Sequence, residues 1–159
     1  MSLSADDIVY MQTVDGLGGA LTTEIPEESL HNIFDPVSGK EAKLGNIDYR
    51  CVYVKNKSTT ASLYNAKMYI MAQPVNASES IRIGKGSSPL NSTEQRITDD
   101  NTKPLNVNFY DAASLDNAIE LGDIPNGSYK SVWIERTVLA NAPVSENSKF
   151  FLVITGDIF

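Results

Sequence analysis

The sequence contains one cysteine and one histidine, which together could supply a nucleophile and its base. Cys51 would need His31 as that base, since the chain offers no other histidine. Cys51 stands in a run of β-branched and aromatic residues, where a small buried hydrophobic side chain is expected. One residue of each type is also too few for a zinc site or a disulfide. We therefore expect neither a catalytic pair nor a metal here.

Three short segments resemble ligand sites but lack the spacing that those sites require. Residues 98–101 (TDDN) offer oxygen ligands for calcium, yet the acids, glycine and terminal glutamate of an EF-hand are absent. Residues 16–19 (GLGG) do not match the dinucleotide fingerprint, and residues 84–88 (GKGSS) lack the first glycine of a phosphate loop. We interpret all three as turns or solvated loops, and we expect no cofactor.

Paired carboxylates are the remaining candidates for acid–base chemistry, because glycoside hydrolysis uses two of them. Glu27 and Glu28 open a predicted helix, where they complement its dipole, and Glu120 and Asp123 flank a turn. No pair stands out among the twenty acids of the chain. We predict that the protein is not an enzyme.

The composition is that of one acidic, folded domain. The 159 residues are 42% hydrophobic and carry a net charge of −7, with a pI of about 4.6. Nucleic-acid binding needs a basic surface, so we expect no nucleic-acid partner. No apolar run reaches transmembrane length, and the first residues do not form a secretory signal. We therefore expect no membrane partner and synthesis in a cytoplasm.

The pattern of β-branched and aromatic residues predicts an all-β protein. Residues 47–56 and 129–138 are the clearest strands, and shorter ones are predicted at 66–72, 80–83 and 150–155. Short strands between turns, without a long periodic helix, are typical of an antiparallel β-sandwich, Ig-like or jelly-roll-like.

Two features lie outside this strand pattern. Residues 26–34 carry a proline, two acids and apolar residues at helical spacing, which predicts one short helix, and residues 38–40 then predict a turn. Residues 1–25 are mixed, and we interpret them as an N-terminal arm or an edge strand. The β-sandwich domain would then span residues 26–159.

The segment between the strands at 80–83 and 129–138 is mostly polar. Residues 84–104 are rich in serine, asparagine, aspartate, glycine and proline, which predicts a long surface excursion. Residues 105–110 return to a strand pattern.

The two clearest strands carry large side chains on both alternating faces, so both faces should be covered. A neighbouring subunit is one way to cover the second face, and a flap of the same chain is the other. Aromatic residues are enriched at subunit interfaces. The predicted interface residues, including two from the N-terminal segment, are Ile8, Tyr10, Tyr49, Tyr53, Tyr129 and Trp133.

Five blocks of the sequence contain strand and turn motifs without catalytic residues. The blocks are 34–42 (FDPVSGKEA), 49–56 (YRCVYVKN), 121–127 (LGDIPNG), 132–138 (VWIERTV) and 151–157 (FLVITGD). Together they cover most of residues 33–157 and resemble a recurring pattern in structural proteins of tailed-bacteriophage virions.

This resemblance implies a small β-sandwich protein of the virion, made in the host cytoplasm. Its expected role is that of a head decoration protein that binds the major capsid protein and cements it. A homo-oligomer is expected, and a trimer by analogy with oligomers at local symmetry axes. The alternative is a tail or baseplate component that acts as a receptor- or glycan-binding module, with exposed aromatic residues and a pocket formed by residues 84–104.

Overall fold

Antiparallel β-strands dominate the computed structural model, which describes residues 3–30, 33–143 and 149–159. Within these residues there are ten strands and two short α-helices. The strands are β1 (Ile8–Thr13), β2 (Gly18–Gly19), β3 (Leu21–Ile25), β4 (Asn46–Asn56), β5 (Leu63–Ala72), β6 (Glu79–Lys85), β7 (Glu94–Arg96), β8 (Ile119–Ile124), β9 (Tyr129–Val138) and β10 (Phe151–Asp157). The helices are α1 (Glu27–Leu30) and α2 (Gly39–Leu44).

Two sheets face each other across the main core, which confirms the predicted sandwich. The five-stranded sheet has the order β3-β1-β4-β9-β6, and the three-stranded sheet has the order β10-β5-β8. A third, two-stranded sheet is formed by β2 and β7. All of these strand pairs are antiparallel.

The main core forms because each strand turns alternate residues inward. The two sheets contribute β-branched and other aliphatic side chains to one continuous cluster. From the five-stranded sheet these include Val52, Val54, Ile81, Ile83, Val132 and Ile134, and from the three-stranded sheet Ala66, Met68, Ile70, Ile119, Leu121 and Leu152.

The N-terminal segment is part of the five-stranded sheet, so of the two interpretations, an arm or an edge strand, the structure supports the edge strand. β1 pairs with β4 from Ile8 opposite Asn56 to Gln12 opposite Val52. β1 also pairs with β3, which takes the edge position. The backbone groups of β1 are therefore used within this chain and are not available to a neighbouring subunit.

The helical content differs from the prediction at residues 38–40. The first helix is confirmed within 26–34 as α1, and residues 31–32 lie outside the described part. Residues 38–40, which were predicted to form a turn, instead form the N-cap and the start of α2. The Ser38 hydroxyl accepts a hydrogen bond from the Glu41 amide at 3.1 Å, and the Glu41 carboxylate accepts one from the Ser38 amide at 3.0 Å. This reciprocal capping box starts a helix.

Residues 86–110, which we call the covering segment, run over the outer face of the five-stranded sheet. β7 lies within this segment and pairs with β2. The predicted strand at 105–110 contributes only a bridge, in which Tyr110 and Ile83 exchange backbone hydrogen bonds of 3.1 and 2.8 Å. The predicted excursion is therefore at the surface, but it also covers a sheet.

Candidate interaction surface

Three of the six predicted interface residues are buried within the chain, and for them the prediction is wrong. Tyr53 and Trp133 are completely excluded from solvent, and Tyr49 is nearly so. Their side chains are covered by other segments of the same chain, which leaves no surface for a second subunit. The other three are partly exposed, and their interface role stays a prediction: Ile8, Tyr10 and Tyr129.

A second apolar cluster explains why both faces of β4 and β9 are hydrophobic. The covering segment packs on the face opposite the main core, and the Tyr49 and Phe109 rings lie 5.4 Å apart there. Of the two alternatives, a flap of the same chain is therefore correct. The cluster comprises Tyr49, Cys51, Ile97, Val107, Phe109 and Trp133, with Leu17 against it.

The covering segment is joined to the sheet by the buried carboxylate of Glu94. This carboxylate accepts five hydrogen bonds, among them one of 2.8 Å from Trp133 Nε1 and one of 2.7 Å from the Ser87 hydroxyl. Burial by itself would raise the pKa of Glu94, but the hydrogen bonds from Ser87 and Trp133 outweigh it, and the net pKa is lowered.

A buried lysine lies beside this carboxylate. Lys130 Nζ donates to the backbone carbonyls of Gly86, at 3.1 Å, and Ser88. Burial, followed by the nearby charge of Lys85, lowers the pKa of Lys130, while Glu94 opposes the shift. Two side chains of β9, the indole of Trp133 and the ammonium group of Lys130, therefore hold the covering segment by hydrogen bonds.

A second group of charges closes one end of the space between the sheets. Arg136 and Asp48 are both buried and form an ion pair of 2.6 Å. The guanidinium of Arg136 also lies 4.8 Å from the centroid of the Phe34 ring, in cation–π geometry. Both carboxylate oxygens of the buried Glu79 lack a hydrogen-bond partner among the described residues.

Cys51 is placed as a packing residue. Its thiol is buried in the second apolar cluster, and burial, followed by the charge of Glu94, raises the pKa of the thiol well above its ordinary value. A thiol in such surroundings is a poor nucleophile. His31 lies outside the described residues, so its position relative to Cys51 is not defined.

In the candidate calcium segment, residues 98–101, the side chains make hydrogen bonds within the protein. Asp99 Oδ1 accepts from the Asn101 amide and the Thr102 hydroxyl, and Asn101 Nδ2 donates to the Ile47 carbonyl. Across residues 3–30, 33–143 and 149–159, no group of three or more metal-ligating His, Cys, Asp or Glu side chains is found.

Of the two candidate carboxylate pairs, the structure describes only the side chains of Glu120 and Asp123, which lie at the surface. Asp123 accepts a hydrogen bond of 2.9 Å from the Asn65 amide, and it is exposed, as is Glu120. The side chains of Glu27 and Glu28 lie outside the described part.

Loops and strand ends at one end of the sandwich, which we call the apolar end, carry exposed large hydrophobic side chains. Eleven large hydrophobic residues are exposed in the described part of the chain. Five of them lie on this end or at its rim, and they are 44% to 98% exposed. These five are Leu44, Ile47, Met71, Val75 and Leu139.

Backbone hydrogen bonds join the loops of the apolar end. The Leu139 amide donates to the Ser78 carbonyl at 2.9 Å, and the Asn141 amide donates to the Lys43 carbonyl at 3.2 Å. Asn46 and Glu79 both lie opposite Val138 on β9, so the strand ends meet there. The exposed side chains therefore project from a fixed surface.

Sequence reasoning missed both the buried Glu94 and the apolar end. Glu94 stands in a polar segment, where nothing distinguishes a buried acid from a solvated one. Val75 follows a proline and Leu44 precedes a glycine, and such isolated apolar residues within turns are a weak signal that a surface is used.

No protein-family model, curated protein or solved structure matches this chain. In the described residues, neither helix approaches the length and hydrophobicity needed to cross a membrane.

Proposed function

We propose that this protein is a non-enzymatic structural component of a tailed-phage virion, and that it decorates the head by binding the major capsid protein. The apolar end is the observation that supports this proposal. Several exposed large hydrophobic residues at the same end of a folded domain favour a surface that binds other proteins. The resemblance of the five sequence blocks to virion structural proteins favours the capsid as the partner.

The apolar end suits a cementing role because it is formed by several joined loops. Burying Leu44, Val75 and Leu139 against capsid subunits would remove apolar surface from water without reordering the loops. A protein that binds only the assembled head stabilises it by mass action. A homo-oligomer, a trimer by analogy, would multiply these contacts at a local symmetry axis.

The proposal is tested by rebinding purified protein to heads that lack it. Leu44 and Leu139 are replaced together by serine, and Leu105→Ser is the control because Leu105 is exposed on the covering segment instead. We expect the double variant to bind at least roughly tenfold more weakly. The control should bind normally and should raise the temperature at which heads break.

Two results would contradict the proposal. Heads with and without the bound protein could break at the same temperature, which would exclude cementing. Imaging of the particle could instead locate the protein on the tail or baseplate, which is the alternative position, and the apolar end would then bind neighbouring tail proteins.

A further inference from the structure

An open groove of about 510 Å³ lies between the edges of the two sheets. Its wall on one side is the end of β6 with the strand-like residues 106–110, and on the other side the start of β8. Its apolar lining includes Ala118 and Ile119. The groove is separate from the apolar end and plays no part in the proposed capsid contact.

The side chains of residues 106–110 point alternately towards the sheet and towards the groove, and this determines which of them line the groove. Val107 and Phe109 are buried against the outer face of the five-stranded sheet. Their neighbours Asn106, Asn108 and Tyr110 are exposed and line the groove. One short segment therefore completes the second apolar cluster with one set of side chains and presents polar groups with the other.

Two glycines hold this wall in place. A Cβ at Gly84 would overlap the Asn108 carbonyl oxygen, and one at Gly86 would overlap the Ser131 hydroxyl. The backbone therefore packs more closely than any side chain would allow at both positions. Lys85, between them, lines the groove from a fixed backbone.

Two polar side chains of the groove are not used by the fold. The side-chain amides of Asn106 and Asn108 make no hydrogen bond within the described part of the chain. Each amide offers donors and an acceptor, which suits a ligand with many hydroxyl groups. The Tyr110 ring, 53% exposed, offers an aromatic face to the C–H face of such a ligand.

The charges of the groove argue for a neutral ligand. Lys85 and Glu120 both line it, so the Glu120 carboxylate would repel an anion and the Lys85 ammonium group would repel a cation. The net charge of −7 disfavours anions further. The volume falls in the range of small-molecule sites. We infer that the groove binds a neutral oligosaccharide through Asn106, Asn108 and Tyr110.

The inference is tested by titrating the whole protein with neutral oligosaccharides built from glucose, galactose, mannose or N-acetylglucosamine. Amide NMR signals report where each probe binds. We expect at least one probe, at millimolar concentration, to shift the signals of Lys85, Asn106 and Tyr110. Removing two contacts with Asn108→Ala and Tyr110→Ala together should weaken binding by roughly tenfold or more.

Asn126→Ala is the matched control, because Asn126 is an exposed asparagine outside the groove. It should leave binding unchanged, and near-native NMR spectra will show that each variant is folded. Should the double variant fail to fold, Asn106→Ala alone should still weaken binding. The inference is overturned if no probe shifts the groove signals, if the groove variants bind as the parent does, or if sulfate or phosphate binds there more tightly than every neutral sugar.

Discussion

Trp133 Nε1 donates a hydrogen bond of 2.8 Å to Glu94 Oε2, and both side chains are almost completely excluded from water. Trp133 belongs to the sheet, whereas Glu94 belongs to the covering segment. The indole therefore contributes to the second apolar cluster, and its hydrogen bond also offsets part of the desolvation free energy of the buried carboxylate. This contact makes the covering segment part of the folded domain.

Glu94→Gln should destabilise the protein by about 2 to 3 kcal/mol. The amide has nearly the same shape, but its NH₂ group must face donors such as the Ser87 amide or Trp133 Nε1. Urea unfolding followed by the fluorescence of Trp133, the sole tryptophan, measures the loss. Glu24→Gln, which changes an exposed ion pair with Lys57, should cost less than about 1 kcal/mol. Equal losses in the two variants would contradict the role given to Glu94.

The stability of the protein should fall in acid because of the same carboxylate. Glu94 has a lowered pKa in the folded protein, against an ordinary value of 4.5. The unfolded chain therefore takes up the proton at a higher pH than the folded chain does. The contribution of Glu94 is complete above its unfolded pKa and is lost as the pH falls through its folded pKa.

The measurement is the free energy of unfolding of the parent protein and of Glu94→Gln, from roughly pH 6 down to pH 3. We expect the difference between them to shrink as the pH falls. A difference that stays constant over this range would show that Glu94 does not titrate in the way described.

The sequence was sufficient for the strands but not for what covers them. The large side chains on both faces of β4 and β9 required two covers, and this much could be predicted. Whether the second cover was a subunit or a flap depended on where Val107 and Phe109 pack, and they lie far from β4 along the chain. A strand pattern carries no information about its partner, so the interface prediction for Trp133 was wrong.

Local signals have similar limits. The capping box of Ser38 and Glu41 was present in the sequence, yet the glycine between them favoured a turn. The groove was harder to predict, because Asn108 and Tyr110 share it with the start of β8, which belongs to the other sheet. Polar residues in a loop give no indication of which of them will share a wall.

Gly84→Ala should separate the covering segment from β6. The added methyl group would overlap the Asn108 carbonyl oxygen and would lie 2.9 Å from Val107 Cγ1. Because one of these neighbours is backbone, we expect a loss of about 1 to 3 kcal/mol. Faster hydrogen exchange at the Tyr110 amide, which bonds to Ile83, should accompany it.

Gly39→Ala is the control for this substitution. Gly39 begins α2, and a methyl group added there would have no neighbouring atom within 4 Å. Alanine favours helix, so this variant should be neutral or stabilised by up to about 1 kcal/mol. Unchanged stability and exchange in Gly84→Ala would contradict the close approach of the two segments.

Glu79→Gln should stabilise the protein. Glu79 is 3% exposed, and neither of its carboxylate oxygens has a hydrogen-bond partner in the described part of the chain. Burying a carboxyl group whose oxygens have no hydrogen-bond partner is unfavourable, and glutamine keeps the size while it loses less hydration on burial. We expect a gain of about 1 kcal/mol in the free energy of unfolding.

Glu135→Gln on the neighbouring strand is the matched comparison, because Glu135 is equally buried but bonds to Arg82 at 2.7 Å. Arg82 is partly exposed, so breaking this pair should cost only about 1 kcal/mol. Urea unfolding measures the free energy of unfolding of both variants. If both substitutions change it in the same direction, the missing partners of Glu79 do not affect stability.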